Sequence, residues 1–276
     1  MAVVLDNNII TSGLPDGFTQ NNPAILYQNF FRDGGVLSSS GHSGAHVPEN
    51  ATTGLTYDFW RPDSLPATID VELDGAEKAD AAGIAFTGAG GKGCLIEVKY
   101  HNGSGWVVAA DAMLVERVAL FLFDEVEASR WRIRISGGSG MPDVIDVSIG
   151  KALRIERRIY QGFTPDRFAI STEYAVNRSR NGQRLGATVV REGIDNNVTF
   201  DNLTGAWVDG NLKHLINHIR RTLPFYWAWR PLKYSGDVVF AWGDGDVRPE
   251  NSGPADYRRF SLSYEGIGPA TIDGPQ

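Results

Sequence analysis

The chain has 276 residues, of which 42% are hydrophobic, so it is long enough for one large or two modest domains with a real core. Aromatic and β-branched residues recur along the whole chain, which excludes disorder as its overall state. The longest clean apolar run, Val118 to Phe123, is far too short for a membrane-spanning helix. The formal net charge of −7 argues against broad nucleic-acid binding, and the single cysteine, Cys94, fits a reducing cytosol.

The charge is unevenly distributed along the chain. Residues 1–150 hold 9 basic and 19 acidic side chains, whereas residues 151–276 hold 17 basic and 14 acidic ones. This imbalance indicates two regions with different and complementary surfaces.

Residues 1–50 show no sustained hydrophobic periodicity. Gly34-Gly35 and the run from Ser38 to Gly41 interrupt any regular pattern. We therefore expect an extended N-terminal arm or a set of loops.

Residues 51–150 show the alternation of apolar and polar residues that is typical of half-buried strands. An Asn-Gly turn at Asn102 connects two of these segments as a hairpin. Successive strands without helices between them predict an antiparallel, jelly-roll-like β-sandwich. The predicted strands are Thr68–Asp74, Cys94–Tyr100, Trp106–Val108, Arg130–Ile135 and Val144–Ile149.

Residues 151–276 are predicted to form a second β-sandwich or barrel that carries one α-helix at about 204–222. Val208, Leu212 and Ile219 follow helical spacing, Thr204 is a plausible N-cap, and Pro224 ends the pattern. The predicted strands are Leu153–Tyr160, Leu185–Val190, Val198–Phe200, Val238–Trp242 and Arg259–Tyr264.

No motif completes a catalytic, metal or cofactor site. The letters of a dinucleotide-binding loop occur at 88–93, but a strand and not a helix follows them. His214 and His218 have metal-ligand spacing, yet they lie opposite the apolar stripe of the predicted helix, where a solvated surface is expected. The chain is therefore expected to be no enzyme and to need no cofactor or metal. A hydrolase acting through Ser43 is kept as an alternative, although Ala45 replaces the second glycine of a nucleophile elbow.

Aromatic residues form two candidate binding surfaces. Phe225, Trp227 and Trp229 lie on one side of a predicted strand, next to Arg230, and form a possible subunit interface, with core packing as the alternative. The turn with His101 and Asn102, followed by Trp106, is a possible glycan-binding loop; Trp60, Trp106 and Trp131 are otherwise expected inside the sandwich.

About 95 residues of the middle region resemble the galactose-binding-like, discoidin-type jelly-roll modules. In that family the strand similar to Arg130–Ile135 is a core strand, and ligands meet loops at one end of the sandwich. The resemblance therefore implies a jelly-roll fold with a candidate sugar-binding end. The matching segments are Trp60–Pro62, Thr68–Gly75, Ala82–Phe86, Ile96–Tyr100, Trp106 and Arg130–Ile135.

The remainder resembles tail-tip proteins of long-tailed bacteriophages, in particular distal tail or baseplate proteins. The matching segments are Ile159–Gly162, Leu185–Arg191, Trp207–Pro224, Pro224–Pro231 and Arg259–Gly266. This resemblance implies a homo-oligomeric ring that joins the tail tube protein to the tail hub, tip or receptor-binding proteins. It also implies a location in the virion tail, after assembly in the host cytoplasm.

Two functions are expected from these observations. The first is a structural component of a phage tail tip that acts by oligomerisation. The alternative is a jelly-roll protein that binds host surface glycans. Neither involves nucleic acid or a membrane span, and the N-terminus shows no pattern of a secretory signal.

Overall fold

The computed structural model describes residues 3–5, 19–87, 91, 93–114, 116–159, 161–253 and 255–268. Within them the chain is mainly β and carries one α-helix, as predicted. The strands are β1 (Val3–Leu5), β2 (Ala24–Leu26), β3 (Val36–Ser39), β4 (Ala67–Phe86), β5 (Cys94–His101), β6 (Trp106–Met113), β7 (Val118–Gly137), β8 (Val144–Gly150), β9 (Leu153–Arg154), β10 (Ile170–Arg178), β11 (Arg184–Thr204), β12 (Phe225–Ala228), β13 (Val238–Gly243), β14 (Glu250–Asn251) and β15 (Tyr257–Ile267). The α-helix is α1 (Gly205–Arg220), and short 3₁₀ turns occupy Pro48–Thr52 and Asp166–Phe168.

The first sheet folds into a sandwich because two of its strands are very long. β4 and β7 have 20 residues each, and their pairing is interrupted between Glu72 and Glu77. On one side of this irregularity the strand order is β3-β4-β7-β5-β6, and on the other side β8 pairs with β4 and β1 pairs with β7. The two layers enclose a core that contains Trp60 and Trp131, both fully buried.

The predicted strands of this sandwich are confirmed, since each lies inside one of the strands β4 to β8. Their alternating burial is the physical reason: Ile69 and Val71 are buried, whereas Asp70 and Glu72 face outward.

The second sheet has the order β10-β11-β15-β13-β12-β2-β9, and α1 packs on one of its faces. The predicted helix is confirmed: its buried residues include Val208, Leu212, Leu215 and Ile219, and the hydroxyl of Thr204 accepts a hydrogen bond from the Trp207 amide at 3.3 Å. In the described part of the chain, no helix is long and apolar enough to cross a membrane.

The predicted subunit interface is wrong for its three aromatic residues. Phe225, Trp227 and Trp229 are at most 8% exposed and pack against α1 in the second core. Arg230 is half-buried, with its guanidinium carbon 5.2 Å from the Trp229 ring. Both faces of β12 are buried, and the side that carries Phe225 and Trp227 faces the second core, which also contains Trp229.

The opposite face of the second sheet packs directly on the sandwich. Tyr226 and Phe240 contribute to a third apolar cluster, together with Ala81 and Leu120 from the outer side of β4 and β7. A Cβ atom built on Gly83 would lie 2.4 Å from the Tyr226 ring, so glycine is required for this close approach. The sandwich and the second sheet with its helix, which we call the two modules, therefore share a continuous apolar interface.

Two regions differ from the expectations. β2 pairs with both β12 and β9 in the second sheet, and β3 pairs with β4 in the first, so the N-terminal region is not only loops; residues 6–18 lie outside the described part. The strand expected at Leu153–Tyr160 ends at Arg154, and Tyr160 is also outside it. Beyond Arg154 the backbone carbonyls of Ile155 and Glu156 accept hydrogen bonds from the Asn22 side-chain amide, and not from a neighbouring strand.

Candidate functional site

The glycan-binding loop predicted from the sequence forms a compact group on the sandwich. His101 ends β5 and Trp106 begins β6, so the hairpin places them opposite each other. Their rings are nearly perpendicular, at 85°, with centroids 5.4 Å apart. Trp106 is half-buried, in contrast to the interior position that was the other expectation for it.

Side chains hold the turn between these strands in shape. The Asn102 Oδ1 accepts hydrogen bonds from the amides of Ser104 and Gly105, each at 3.0 Å. The His101 Nδ1 accepts one from the Gly103 amide at 3.1 Å. A neutral imidazole that accepts at Nδ1 carries its hydrogen on Nε2. The His101 Nε2 and the Asn102 amide nitrogen are thus donors available to a ligand.

Two arginines of β7 complete this group, which we call the Trp106 patch (His101, Asn102, Trp106, Arg130 and Arg132). The guanidinium carbon of Arg132 lies 4.1 Å from the Trp106 ring centroid, and that of Arg130 lies 5.7 Å from it. Asp70 holds Arg132 in a bidentate pair at 2.6 and 2.7 Å.

A network of ion pairs continues beside the patch. Glu97 pairs with Lys99 and Arg134. Partial burial alone would raise the pKa of Glu97, but the hydrogen bonds from the two cations outweigh it and hold that pKa below its usual value. The charged groups around Trp106 are therefore fixed in place, which gives a preorganised surface.

A second feature lies at the junction of the two modules, which we call the junction cavity. It has a volume of about 460 Å³ and lies between the loop at 54–57 and the second sheet. Its lining consists of Gly54, Leu55, Thr56, Tyr57, Ser171, Arg191, Glu192, Gly193, Ile194, Asp195, Trp242, Glu265, Gly266 and Ile267.

Close packing fixes the wall of the cavity. Gly54 has a φ of +77°, and a Cβ atom there would lie 2.7 Å from the Pro224 ring, so glycine is needed on both counts. Its carbonyl accepts a hydrogen bond from the Trp242 Nε1 at 3.1 Å. On the wall, Leu55 is 43% exposed and Tyr57 is 74% exposed.

The cavity lining has an excess of negative charge. It contains three carboxylates and one guanidinium. Arg191 pairs with Glu265 at 3.5 Å, and Glu192 and Asp195 form no ion pair with any described residue. Neither the cavity nor the two arginines of the Trp106 patch were predicted from the sequence.

Ser43, the residue of the hydrolase alternative, is exposed in a loop. No group of three or more described His, Cys, Asp or Glu residues has an arrangement suited to a metal ion.

No family model matches the chain, and no curated protein matches it. Three similar solved structures each align with less than half of it. The family 32 carbohydrate-binding module of C. perfringens NanJ, in complex with galactose, is 19% identical with a TM-score of 0.40, over 44% of this chain and 97% of that module. A chitosan-binding module of a chitosanase/glucanase from Paenibacillus sp. IK-5 is 15% identical with a TM-score of 0.39, over 44% and 97%. A GH29 fucosidase of Ruminococcus gnavus, in complex with fucose, is 18% identical with a TM-score of 0.42, over 46% of this chain and 27% of the enzyme. Galactose, chitosan and fucose are ligands of those proteins.

Proposed function

We propose that this chain is a non-catalytic glycan-binding protein and that the Trp106 patch is its sugar-binding site. The observation that carries the proposal is the half-buried indole of Trp106, which contacts both Arg132 and His101. An aromatic ring beside convergent polar groups matches a pyranose, which has an apolar ring face and a rim of hydroxyl groups.

The polar groups of the patch suit hydroxyl recognition. The His101 Nε2 and the Asn102 amide nitrogen are donors that the turn leaves unused. Because Asp70 clamps Arg132 and Arg132 stacks on Trp106, the indole loses little conformational freedom when a ligand binds.

A glycan array followed by calorimetry with the best-binding sugar tests this proposal. We expect Trp106→Ala to weaken binding by roughly tenfold or more, because an aromatic ring commonly dominates such contacts. Trp207→Ala is the matched control: Trp207 is also half-buried but lies on α1 in the other module, so its loss should leave affinity unchanged.

A second variant separates ligand contact from turn structure. Asn102→Asp keeps the oxygen that accepts the Ser104 and Gly105 amides but removes the amide donors. We expect weaker sugar binding with an unchanged melting temperature. Sugar affinity that is the same in wild type, Trp106→Ala and Asn102→Asp, or a silent array, would refute the proposed site.

The second candidate function is the structural one, a self-assembling component of a phage tail tip located in the virion. One observation favours an assembly role: β10 and β11 extend from the body as a two-stranded ribbon (residues 171–191), almost all of which is exposed. Its exposed large apolar residues are Tyr174 (57%), Val176 (42%), Leu185 (67%), Val189 (51%) and Val190 (61%). An isolated ribbon is only marginally stable in water, and exposed apolar patches commonly mark protein contacts.

Sedimentation velocity over a concentration series tests self-assembly, and immunolabelling of purified particles tests the virion location. We expect concentration-dependent species larger than a monomer and labelling at one end of the tail. A strict monomer that is absent from particles would end this candidate and leave glycan binding untouched.

A further inference from the structure

The ribbon has a basic tip, whose arginines form no ion pair with any residue that the structure describes. Between Tyr174 and Val190 the chain contains three arginines and no acidic residue, and Arg178, Arg180 and Arg184 are all exposed. The turn between the strands is ordered: the Gly182 amide donates to the Ser179 carbonyl at 2.9 Å, and Arg178 donates to the Gly182 carbonyl at 3.4 Å. Arg180 and Arg184 are thus presented on a folded turn.

The junction cavity has the complementary chemistry. Its carboxylates Glu192 and Asp195 form no ion pair within the described chain, and its wall contains the aromatic rings of Tyr57 and Trp242. Carboxylates together with aromatic faces favour a guanidinium group, which pairs with the former and stacks on the latter. We propose that the tip of the ribbon of one copy binds in the junction cavity of a second copy.

A second copy is the required occupant because the chain's own tip is out of reach. Ser171 and Arg191, at the root of the ribbon, line the cavity. The tip begins seven residues beyond Ser171, which is about 23 Å along an extended strand. Antiparallel pairing from Ile170 to Arg178 keeps the ribbon extended, so it does not fold back onto its root.

Apolar surface is also complementary. The pairs Tyr174–Val189 and Val176–Ala187 lie on one face of the ribbon, since directly opposite residues share a face. The wall of the cavity exposes Leu55 and Tyr57, which this face would cover. The contact is heterologous, because the tip of one copy meets the root of the next, so it can be repeated from copy to copy.

This proposal rests on the second candidate function, self-assembly, and it identifies the contact through which the copies would associate. Charge reversal tests it in the full chain. We expect the tip variant Arg180→Glu/Arg184→Glu and the cavity variant Glu192→Lys/Asp195→Lys each to weaken self-association by roughly tenfold or more in sedimentation velocity. Mixing the two variants, one of them fluorescently labelled, should restore association, because the reversed tip then meets a reversed cavity.

A control variant carries the same change of charge elsewhere. Arg220→Glu/Arg221→Glu alters two exposed arginines at the end of α1, and its association should equal that of wild type. All substituted residues are exposed, and unchanged circular dichroism verifies the fold of each variant.

The outcomes separate this contact from the assembly candidate itself. A wild-type chain that stays monomeric refutes both. Wild-type association that persists in the tip and cavity variants refutes the contact and keeps the assembly candidate. Loss of association in both variants without recovery on mixing also refutes the pairing of tip and cavity.

Discussion

Asp166 is a buried residue that forms polar contacts within the second core. Its carboxylate accepts hydrogen bonds from the Tyr264 hydroxyl at 2.5 Å, the Asn196 amide at 2.9 Å and the Trp227 Nε1 at 3.1 Å. These donors come from three different strands, so one buried carboxylate links β11, β12 and β15. Burial outweighs the three hydrogen bonds and raises the pKa of Asp166 to about 6.

This raised pKa predicts a pH dependence of stability. The folded state binds the Asp166 proton more tightly than the unfolded state, so its stabilisation is complete below the unfolded value of 3.8 and is lost as pH rises through about 6. We expect this group to lower the free energy of unfolding by about 3 kcal/mol in total as the pH rises, of which about 2 kcal/mol falls between about pH 4 and about pH 6.

Urea denaturation of wild type and Asp166→Asn over this pH range measures the contribution. The variant should show a shallower fall in unfolding free energy, because its side chain does not titrate. Carbon-13 NMR of the wild-type carboxyl groups gives the pKa directly. A normal pKa for Asp166, or equal slopes in the two proteins, would contradict the expectation.

At the scale of elements, the start of α1 depends on two side chains. The Thr204 hydroxyl caps the Trp207 amide, and Glu156 accepts hydrogen bonds from both the amide and the hydroxyl of Thr204. We expect Thr204→Ala to destabilise the protein by about 1 kcal/mol, and Thr204→Ser to cost much less because it keeps the cap. Urea denaturation checks both. Equal losses in the two variants would mean that the hydroxyl contributes nothing.

Elements with one buried face were predictable from the sequence. α1, the first part of β4 (67–72), β5 and the end of β7 (130–137) expose one face and bury the other, so the period of their apolar residues matches their geometry. The ribbon was predicted only in part, at Leu185–Val190, because both of its faces are exposed and it carries no such period. β2 was missed because all three of its residues are buried and three residues are too few for any period.

The candidate sites were predictable where they consist of residues that are close in sequence, and not where strand register or packing brings distant residues together. His101, Asn102 and Trp106 are neighbours in sequence, so the hairpin that joins them was visible in the sequence. Arg132 reaches Trp106 across β5, which depends on strand register. The junction cavity combines the loop at 54–57 with residues from 171 to 267, which only the packing of the two modules brings together.

At the scale of the whole molecule, a buried polar cluster joins three parts of the chain. Asp146 on β8 accepts hydrogen bonds from Arg32 in the N-terminal region, from Ser148 at 2.8 Å and from Tyr226 on β12 at 2.9 Å. Arg32 lies 2.9 Å from the carboxylate, which is fully buried. Burial raises the pKa of Asp146, whereas Arg32 and the two hydroxyl groups favour its charged form. The cluster couples the N-terminal region and both modules into one structural unit.

Removing one partner of this buried pair should therefore destabilise the entire molecule. Arg32→Met leaves the Asp146 carboxylate without its cation. We expect the free energy of unfolding to fall by about 3–5 kcal/mol, and we expect the variant to unfold in a single transition. In Arg32→Met/Asp146→Asn the uncompensated charge is gone, so part of the stability should return. Calorimetry together with tryptophan fluorescence measures both effects, since tryptophans are buried in both cores. Two separate transitions in Arg32→Met, or a double variant less stable than the single one, would show that the cluster does not couple the modules.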